Sequence, residues 1–160
     1  MPLRFSIEPV SDSQPGRHRQ AERDAVRRIV DRLLGSEVAV SHLDNGAPQV
    51  PGTHISISHC RTFAAVAVCD ETPVGIDIEE VKRCVARIVN RVAHPDDDTS
   101  LTPAQLWCAK EAVFKAAGID DLVLAEVAVS QESATARGRH FSLEFPPAPE
   151  GICIALATAQ

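Results

Sequence analysis

The chain has 160 residues, of which 44% are hydrophobic, and a formal net charge of −6 at pH 7. This length allows one domain with a sizeable core, and no apolar run is long enough to cross a membrane. The acidic balance argues against a nucleic-acid-binding protein, because neutralising phosphates takes clustered positive charge.

The N-terminus and the cysteines indicate in which cellular compartment the protein is expected. Residues 1–10 lack a charged start followed by an apolar stretch, so we expect no secretory signal and a cytoplasmic protein. The five cysteines are scattered, without a Cys-x-x-Cys pair. The sequence therefore predicts neither a disulfide framework nor a structural zinc site.

The first elements are a short strand over residues 4–10 and an amphipathic helix over residues 20–34 that ends at Gly35. The helix would bury five aliphatic residues: Ala25, Val26, Ile29, Val30 and Leu33. Its outer face carries a row of arginines, formed by Arg19, Arg23 and Arg27. In most helices such a row is only a solvated face.

Residues 37–69 predict a short strand over 37–42, a loop over 43–53, and a pair of alternating strands over 54–59 and 63–69. Ser58 and His59 close the first strand of that pair. A histidine in this position, taken alone, is most simply a hydrogen-bonded residue at a strand end.

The most informative stretch is the strand predicted for residues 74–79, Val-Gly-Ile-Asp-Ile-Glu. Because side chains alternate along a strand, Gly75, Asp77 and Glu79 lie on one face and the aliphatic residues on the other. Gly75 leaves space for a bulky group to approach beside the acids. Two such acids repel each other unless a cation lies between them, and their hard oxygen ligands suit Mg²⁺. The alternative is an edge strand with a solvated acidic face.

Residues 81–93 have the apolar spacing of a second amphipathic helix. It would bury four residues: Val81, Val85, Ile88 and Val92. It would expose a basic row of Arg83, Arg87 and Arg91, which is either a solvated face or a docking surface for an acidic partner.

Residues 102–118 carry a complete set of helix signals. Thr102 is the predicted N-cap, Pro103 starts the helix, Gln105 closes a capping box, and Gly118 follows the last turn.

The side chains of this helix form two rows. The predicted buried stripe consists of Leu106, Ala109, Val113 and Ala117, and a separate row contains Trp107, Glu111 and Lys115. Glu111 and Lys115 could simply form a surface ion pair. Lys110 falls inside the apolar stripe, where a lysine either extends its ammonium to solvent or meets an anion.

Residues 122–130, 139–145 and 152–157 predict three further strands. Together these elements favour an α+β fold, with a mostly antiparallel sheet and packed helices, in a single domain over residues 1–160.

Three motifs in this order resemble the signature of the 4′-phosphopantetheinyl transferase superfamily, which includes the holo-acyl-carrier-protein synthases. They are Ser-Ile-Ser-His-Cys at 56–60, Gly-Ile-Asp-Ile-Glu at 75–79, and Trp-Cys-Ala-Lys-Glu-Ala-Val-Phe-Lys-Ala at 107–116. The resemblance covers the middle part of the chain well and its ends poorly.

The resemblance implies a fold. Monomeric members of the superfamily are pseudo-dimers of two similar α+β halves, and small members are trimers of single halves. Because roughly fifty residues precede the first motif, we favour a trimmed pseudo-dimer with halves of about residues 1–70 and 71–160.

The resemblance also implies a reaction, the Mg²⁺-dependent transfer of 4′-phosphopantetheine from coenzyme A to a serine of an apo acyl or peptidyl carrier protein. Adenosine 3′,5′-bisphosphate would be released. Asp77, Glu79 and Glu111 would hold the ion, and Lys115 would neutralise a phosphate oxygen. Glu111 is equally the family's usual candidate for accepting the serine proton, and the sequence leaves base and ligand open.

The remaining site residues follow from the same resemblance. Ser58, His59, Arg27 and Lys110 would contact coenzyme A, although packing support is an equal alternative for Lys110. Asp97 stands where family members commonly place a further acid, as support for the metal. Trp107 is assigned to packing beside the site.

One departure from the family pattern is the loop Gly46-Ala47-Pro48, which lacks the lysine that contributes to coenzyme A binding in Gly-Lys-Pro. Two alternatives therefore stay open, a homologue that binds coenzyme A or a carrier without turnover, and a structural protein with acids on its surface. The carrier, from fatty-acid, polyketide or peptide-synthetase biosynthesis, would be acidic. We expect it to dock on Arg83, Arg87 and Arg91.

Overall fold

The computed structural model describes residues 2–11 and 15–160. Its first half contains β1 (Arg4–Pro9), α1 (His18–Leu34), β2 (Ser41–His42), β3 (Pro48–Gln49), β4 (His54–His59), β5 (Phe63–Cys69) and β6 (Val74–Glu80). Its second half begins with a 3₁₀ turn (Val81–Arg83), the short helix α2 (Ala86–Val89) and another 3₁₀ turn (Asn90–Val92). There follow α3 (Pro103–Ala117), a 3₁₀ turn (Leu124–Glu126), β7 (Ala128–Val129), β8 (Ser133–Ala136), β9 (Arg139–Glu144) and β10 (Ile152–Ala159).

The long strands form two antiparallel sheets, and the predicted α+β fold class is confirmed. β5 lies between β1 and β4 in the first sheet, and the second sheet has the order β6-β10-β9-β8-β7. β2 and β3 form a separate two-stranded ribbon. The change of sheet falls between Cys69 and Val74, close to the boundary predicted for two halves, and the pseudo-dimer interpretation stays a prediction.

Alternation along β5 places its side chains in two different cores. Val66 and Val68 pack with Ile29 of α1, whereas Ala65 and Ala67 pack against the aliphatic face of β6. The helix α3 covers the other face of the second sheet, where Val113 and Phe141 are fully buried. The layers therefore run from α1 through the two sheets to α3.

Two serines join the edges of the two sheets. The hydroxyl oxygen of Ser56 accepts a hydrogen bond from the Ile76 amide at 3.0 Å, and that of Ser58 accepts one from the Ile78 amide at 3.2 Å. Because buried backbone amides need a partner, these hydroxyls replace the carbonyl groups that a neighbouring strand would supply. β4 and β6 are thereby held side by side.

The prediction of one helix over residues 81–93 is wrong. Val81, Val85 and Ile88 were expected inside and are 47%, 45% and 37% exposed, whereas Cys84 and Val89 are buried. The backbone leaves helical geometry at Cys84 and Val85, and no side chain caps any of the short helical pieces. Three arginines expected on one helical face are consequently distributed over three separate pieces.

Two strands were also predicted inaccurately. Only Ser41–His42 of residues 37–42 is extended, and residues 122–130 form a 3₁₀ turn followed by β7 alone. β8 escaped prediction because its sequence, Ser-Ala-Thr-Ala, has no large apolar residue. It is fixed by pairing with β9 through a hairpin turn in which Arg137 and Gly138 both have positive φ.

Among residues 2–11 and 15–160, no helix combines the length and the apolar character that a membrane span requires. The five cysteines are free thiols, and four of them are buried.

Candidate functional site

Gly75 sets the distance between β6 and α3. A Cβ atom at this position would lie 1.8 Å from the carbonyl oxygen of Ala112, so only glycine fits. The bulky group that Gly75 was predicted to admit is therefore the backbone of α3. A buried row of small residues, Ala104, Cys108, Ala112 and Ala116, gives α3 the flat face that this contact needs.

The predicted start and end of α3 are confirmed. Thr102 Oγ1 accepts a hydrogen bond from the Gln105 amide at 3.2 Å, and Gln105 Oε1 accepts one from the Thr102 amide at 2.9 Å. Gly118 ends the helix with a φ of +61°. The cap and the contact at Gly75 together determine which helix residues meet the acidic strand.

Asp77 is the buried centre of the site, with an exposed fraction of 5%. Its Oδ1 accepts hydrogen bonds from Ser58 Oγ at 3.1 Å and from Lys115 Nζ at 3.3 Å. The Lys115 ammonium also donates to the Ile76 carbonyl at 2.8 Å, so its partner is Asp77 and not Glu111. Burial raises the pKa of Asp77, and the charge of Lys115 opposes that shift.

Glu79 and Glu111 face the same space as Asp77. Burial and the Asp77 carboxylate raise the pKa of Glu79 to about 7, and the same two causes raise the pKa of Glu111. Lys115 counteracts both shifts. These residues border a cavity of about 390 Å³, here called the acidic cavity, lined by His42, Gly46, Pro48, Ile57, Ser58, His59, Asp77, Glu79, Glu111 and Lys115.

The carboxylate oxygens of the acidic cavity are the kind of ligand that a hard divalent cation prefers. Asp77 Oδ2 is buried and accepts no hydrogen bond from the described part of the chain. Burial and the charge of Asp77 raise the pKa values of Glu79 and Glu111, so a cation in the cavity would stabilise their charged forms. Within residues 2–11 and 15–160 no three His, Cys, Asp or Glu side chains converge closely enough to enclose an ion. Mg²⁺ does not require such an enclosure, because it commonly keeps several waters and uses one or two carboxylates together with substrate phosphates.

A second cavity, of about 470 Å³, lies against α1 and shares His42, Ile57 and His59 with the acidic cavity. We call it the arginine cavity, because Arg19, Arg23 and Arg27 line it. Arg27 donates to Asp31 Oδ1 at 2.7 Å and to the Val38 carbonyl at 2.9 Å. The predicted arginine row of α1 is thus assembled beside the acids.

A third cavity, of about 670 Å³, shares His59 and Glu79 with the acidic cavity. We call it the tryptophan cavity, because Trp107 borders it together with Arg83 and Ile88. Trp107 also packs against the buried cluster of Cys84, Val89 and Ala104. The position of Trp107 agrees with the packing role expected from the sequence.

Lys110 lies in the interior, away from these cavities. Its side chain is fully buried, and its ammonium pairs with Asp97 Oδ2 at 2.9 Å and donates to the Val127 carbonyl. Asp97 also accepts the amides of His94 and Val129. Of the two alternatives weighed for Lys110, the geometry favours packing support, and it gives Asp97 the same structural function.

Sequence reasoning overlooked Glu22 and Ser56. The sequence predicted no function for Glu22, but its two carboxylate oxygens lie 2.6 Å from His59 Nδ1 and 3.0 Å from His18 Nε2. The spacing of His18 and Glu22 was a visible local signal. The contact with His59, 37 residues further along the chain, depends on how α1 packs on the first sheet.

Comparison with known proteins agrees with the motifs. Residues 73–149 match the family model of the 4′-phosphopantetheinyl transferase superfamily. This match begins just before the acidic strand and includes α3. The resemblance found in the sequence is thereby confirmed for the part of the chain that contains the acidic strand and α3.

Two Bacillus proteins illustrate the relationship. The chain is 38% identical to the 4′-phosphopantetheinyl transferase psf-1 of Bacillus pumilus, over 62% of this chain and 56% of that protein. It is 35% identical to a 4′-phosphopantetheinyl transferase of Bacillus subtilis, over 44% of this chain and 36% of that protein. The chain thus spans about half the length, or less, of the relatives it matches.

Proposed function

We propose that this protein transfers the 4′-phosphopantetheine group of coenzyme A to a serine of an apo acyl or peptidyl carrier protein, as a holo-acyl-carrier-protein synthase does. The observation that carries the proposal is the acidic cavity, which three carboxylates and Lys115 line together in the region that matches the superfamily model. Such a combination suits a transfer at phosphorus. The negative phosphate oxygens must be neutralised by a cation or a lysine before a hydroxyl can approach the phosphorus atom.

Asp77, Glu79 and Glu111 are the residues that would hold Mg²⁺. A bound Mg²⁺ would stabilise the charge that develops on the pyrophosphate of coenzyme A. The carboxylate atom best placed for this role is Asp77 Oδ2, which is buried and lacks a hydrogen-bond donor within the described residues. Lys115 and Ser58 hold the other oxygen of Asp77, and so they orient this carboxylate.

The phosphates of the donor would lie between Lys115 and the arginine row. Lys115 is 29% exposed and reaches the acidic cavity, where it can neutralise an oxygen of the pyrophosphate. His59 borders both the acidic and the arginine cavity. The third phosphate of coenzyme A would therefore meet Arg27 and its neighbours, with His59 between the two phosphate sites.

Glu111 is our candidate for accepting the proton of the carrier serine. Its pKa is raised by burial and by Asp77, which makes its carboxylate a stronger base than an exposed glutamate. The serine oxygen would form a bond to the pantetheine-side phosphorus, and the bond from that phosphorus to the bridging oxygen would break. The leaving group is adenosine 3′,5′-bisphosphate. Direct binding of the ion by Glu111 is the alternative role.

The carrier would dock on the segment formed by residues 81–92. Arg83, Arg87 and Arg91 lie there beside the exposed side chains of Val81, Val85 and Ile88. The basic side chains would attract an acidic partner protein, and the exposed apolar side chains would be buried when that partner binds. Arg83 and Ile88 also line the tryptophan cavity, which adjoins the acids through Glu79.

A coenzyme A-binding homologue without turnover is the second candidate, and Ala47 favours it. Ala47 lines a cavity of about 430 Å³ that also includes Lys115, and the loop brings no lysine there. Replacing Ala47 with lysine should lower the KM for coenzyme A if the protein is an enzyme. If the protein binds coenzyme A without turnover, the same replacement should tighten coenzyme A binding, and no modified carrier should form.

The direct test is incubation with coenzyme A, Mg²⁺ and a panel of apo-carriers from fatty-acid, polyketide and peptide-synthetase systems, read by mass spectrometry. The proposal expects one carrier to gain the mass of one phosphopantetheine and to require Mg²⁺. Binding of coenzyme A in a thermal-shift titration, with no mass gain across the panel, would favour the second candidate.

A further inference from the structure

Glu22 connects α1 to the site through two histidines. Its side chain is only 14% exposed, and its Oε2 lies 2.6 Å from Nδ1 of His59. Its Oε1 lies 3.0 Å from Nε2 of His18, one turn earlier in the same helix. A carboxylate held at both oxygens has little freedom to rotate, so its contact with His59 is well defined.

His59 occupies the junction of the three cavities. It ends β4, directly after Ser58, whose hydroxyl donates to Asp77. Its side chain is 51% exposed and lines the acidic, arginine and tryptophan cavities. Because Nδ1 is bound to Glu22, Nε2 is the ring nitrogen left for a ligand in these cavities.

We infer that Glu22 is a positioning residue, which holds the His59 ring so that Nε2 is directed to a phosphate group of the donor substrate. The inference rests on the proposed function, because it takes that donor to be coenzyme A. A carboxylate bound at one ring nitrogen fixes the orientation and tautomer of an imidazole.

The geometry distinguishes this arrangement from an ordinary surface ion pair. Exposed pairs contribute little because both side chains remain mobile and solvated. Glu22 is mostly buried and shared between two imidazoles, and it comes from a different element than the other residues around Asp77. In addition to its arginines, α1 thus contributes an orienting carboxylate to a site whose other acids and lysine lie on β6 and α3.

A double-mutant cycle tests whether Glu22 acts through His59. We expect Glu22→Gln and His59→Ala each to weaken coenzyme A binding. For Glu22→Gln we expect about tenfold, by analogy with the loss of metal affinity when the carboxylate behind a metal-ligating histidine is removed. In the double variant the loss should equal that of His59→Ala alone. Asp24→Asn is the matched control, because Asp24 is an exposed acid of the same helix and accepts a hydrogen bond from Gln20.

A second measurement keeps this inference separate from the proposed function. Nitrogen-15 NMR of the His59 ring, recorded without ligand, should show a protonated Nδ1 in the wild type and in Asp24→Asn. The Glu22→Gln variant should show a changed tautomer balance. If the ring signals change in this way but the wild type binds no coenzyme A, the proposed function fails and the positioning stands. Unchanged ring signals in Glu22→Gln, or additive losses in the cycle, would overturn the inference.

Discussion

The helix α3 and segment 81–92 share the same kind of apolar spacing, yet only α3 forms a continuous helix. α3 has a proline at its start, a capping box and a C-terminal glycine, and its small residues pack on β6 at Gly75. Segment 81–92 has no side-chain cap and presents three of its aliphatic residues to solvent. The difference shows that periodicity becomes structure only where end signals and a complementary surface support it.

This contrast has a functional side. The close contact between β6 and α3 holds the charged residues of the acidic cavity, where small displacements would alter the proposed catalysis. The irregular segment exposes basic and apolar side chains, which are suited to contacting another protein. Changes in the first region should therefore affect folding and chemistry, whereas changes in the second should affect only the partner.

The largest effect is expected at Gly75. Gly75→Ala would place a methyl group 1.8 Å from the Ala112 carbonyl oxygen, so β6 and α3 must separate. We expect a loss of at least about 4 kcal/mol in the free energy of unfolding, measured by urea denaturation. The control is Gly52→Ala, where a Cβ would meet no atom within 4 Å and only the positive φ opposes alanine. Similar stability of the two variants would contradict the packing described for α3.

The next effect concerns the acids. If the proposed function is correct, Asp77→Ala and Glu111→Ala should each lower carrier modification by about a thousandfold or more, because each removes part of the charge that would bind the cation. Circular dichroism should show that both variants remain folded. Asp121→Ala, on the surface and paired with Arg137, is the control that should retain turnover. Near-wild-type turnover of Asp77→Ala would remove the basis for a metal site here.

The two lysines of α3 should have different effects when they are replaced. Loss of Lys110 should lower the stability of the protein, whereas loss of Lys115 should weaken coenzyme A binding. Lys110→Met leaves Asp97 without its buried cation and should cost about 3 kcal/mol of stability, while the KM for coenzyme A stays unchanged. Lys115→Met should raise that KM about tenfold and lower kcat, since Lys115 borders the acidic cavity. Adding Asp97→Asn to Lys110→Met should recover part of the stability. A raised KM for coenzyme A in Lys110→Met would contradict the position of Lys110 in the interior.

A smaller effect is expected in the pH dependence of stability. The pKa of Glu79 is about 7 in the folded protein and near 4.5 in the unfolded chain. Between these values the folded chain binds more protons, so the free energy of unfolding should fall as the pH rises through this window.

Glu79→Gln removes that contribution, so it should stabilise the protein most above pH 7 and least below pH 4.5. Part of the slope should persist, because the pKa values of Asp77 and Glu111 are raised as well. Urea denaturation from pH 4 to 8 measures the effect, with the exposed Glu37→Gln as control. Parallel curves for the wild type and Glu79→Gln would contradict the pKa shift.

The smallest effect is expected on segment 81–92. Arg87→Glu should raise the KM for the carrier about threefold and flatten its salt dependence, while the affinity for coenzyme A and the stability remain unchanged. Reversing Arg83, Arg87 and Arg91 together should enlarge the change. Unchanged carrier kinetics in this triple variant would assign docking to another surface, with the arginines of α1 as the next candidates.

Local signals in the sequence determined the well-formed elements around the site. The alternation of Asp77 and Glu79 on β6 and the capped helix with Glu111 and Lys115 were both correct, because each depends on neighbours within a few residues. The resemblance to the superfamily was also recognisable from the sequence, because the motifs that carry it are three short continuous stretches of chain.

Only the tertiary structure decided the contacts between distant segments. It separated Lys110 from Lys115, although both lie on one helix, by placing Asp97 against the first and Asp77 against the second. It brought Glu22 of α1 to His59, and it exposed the aliphatic residues of segment 81–92. These outcomes depend on which surfaces pack together, and periodicity within one segment carries no information about the surface that will cover it.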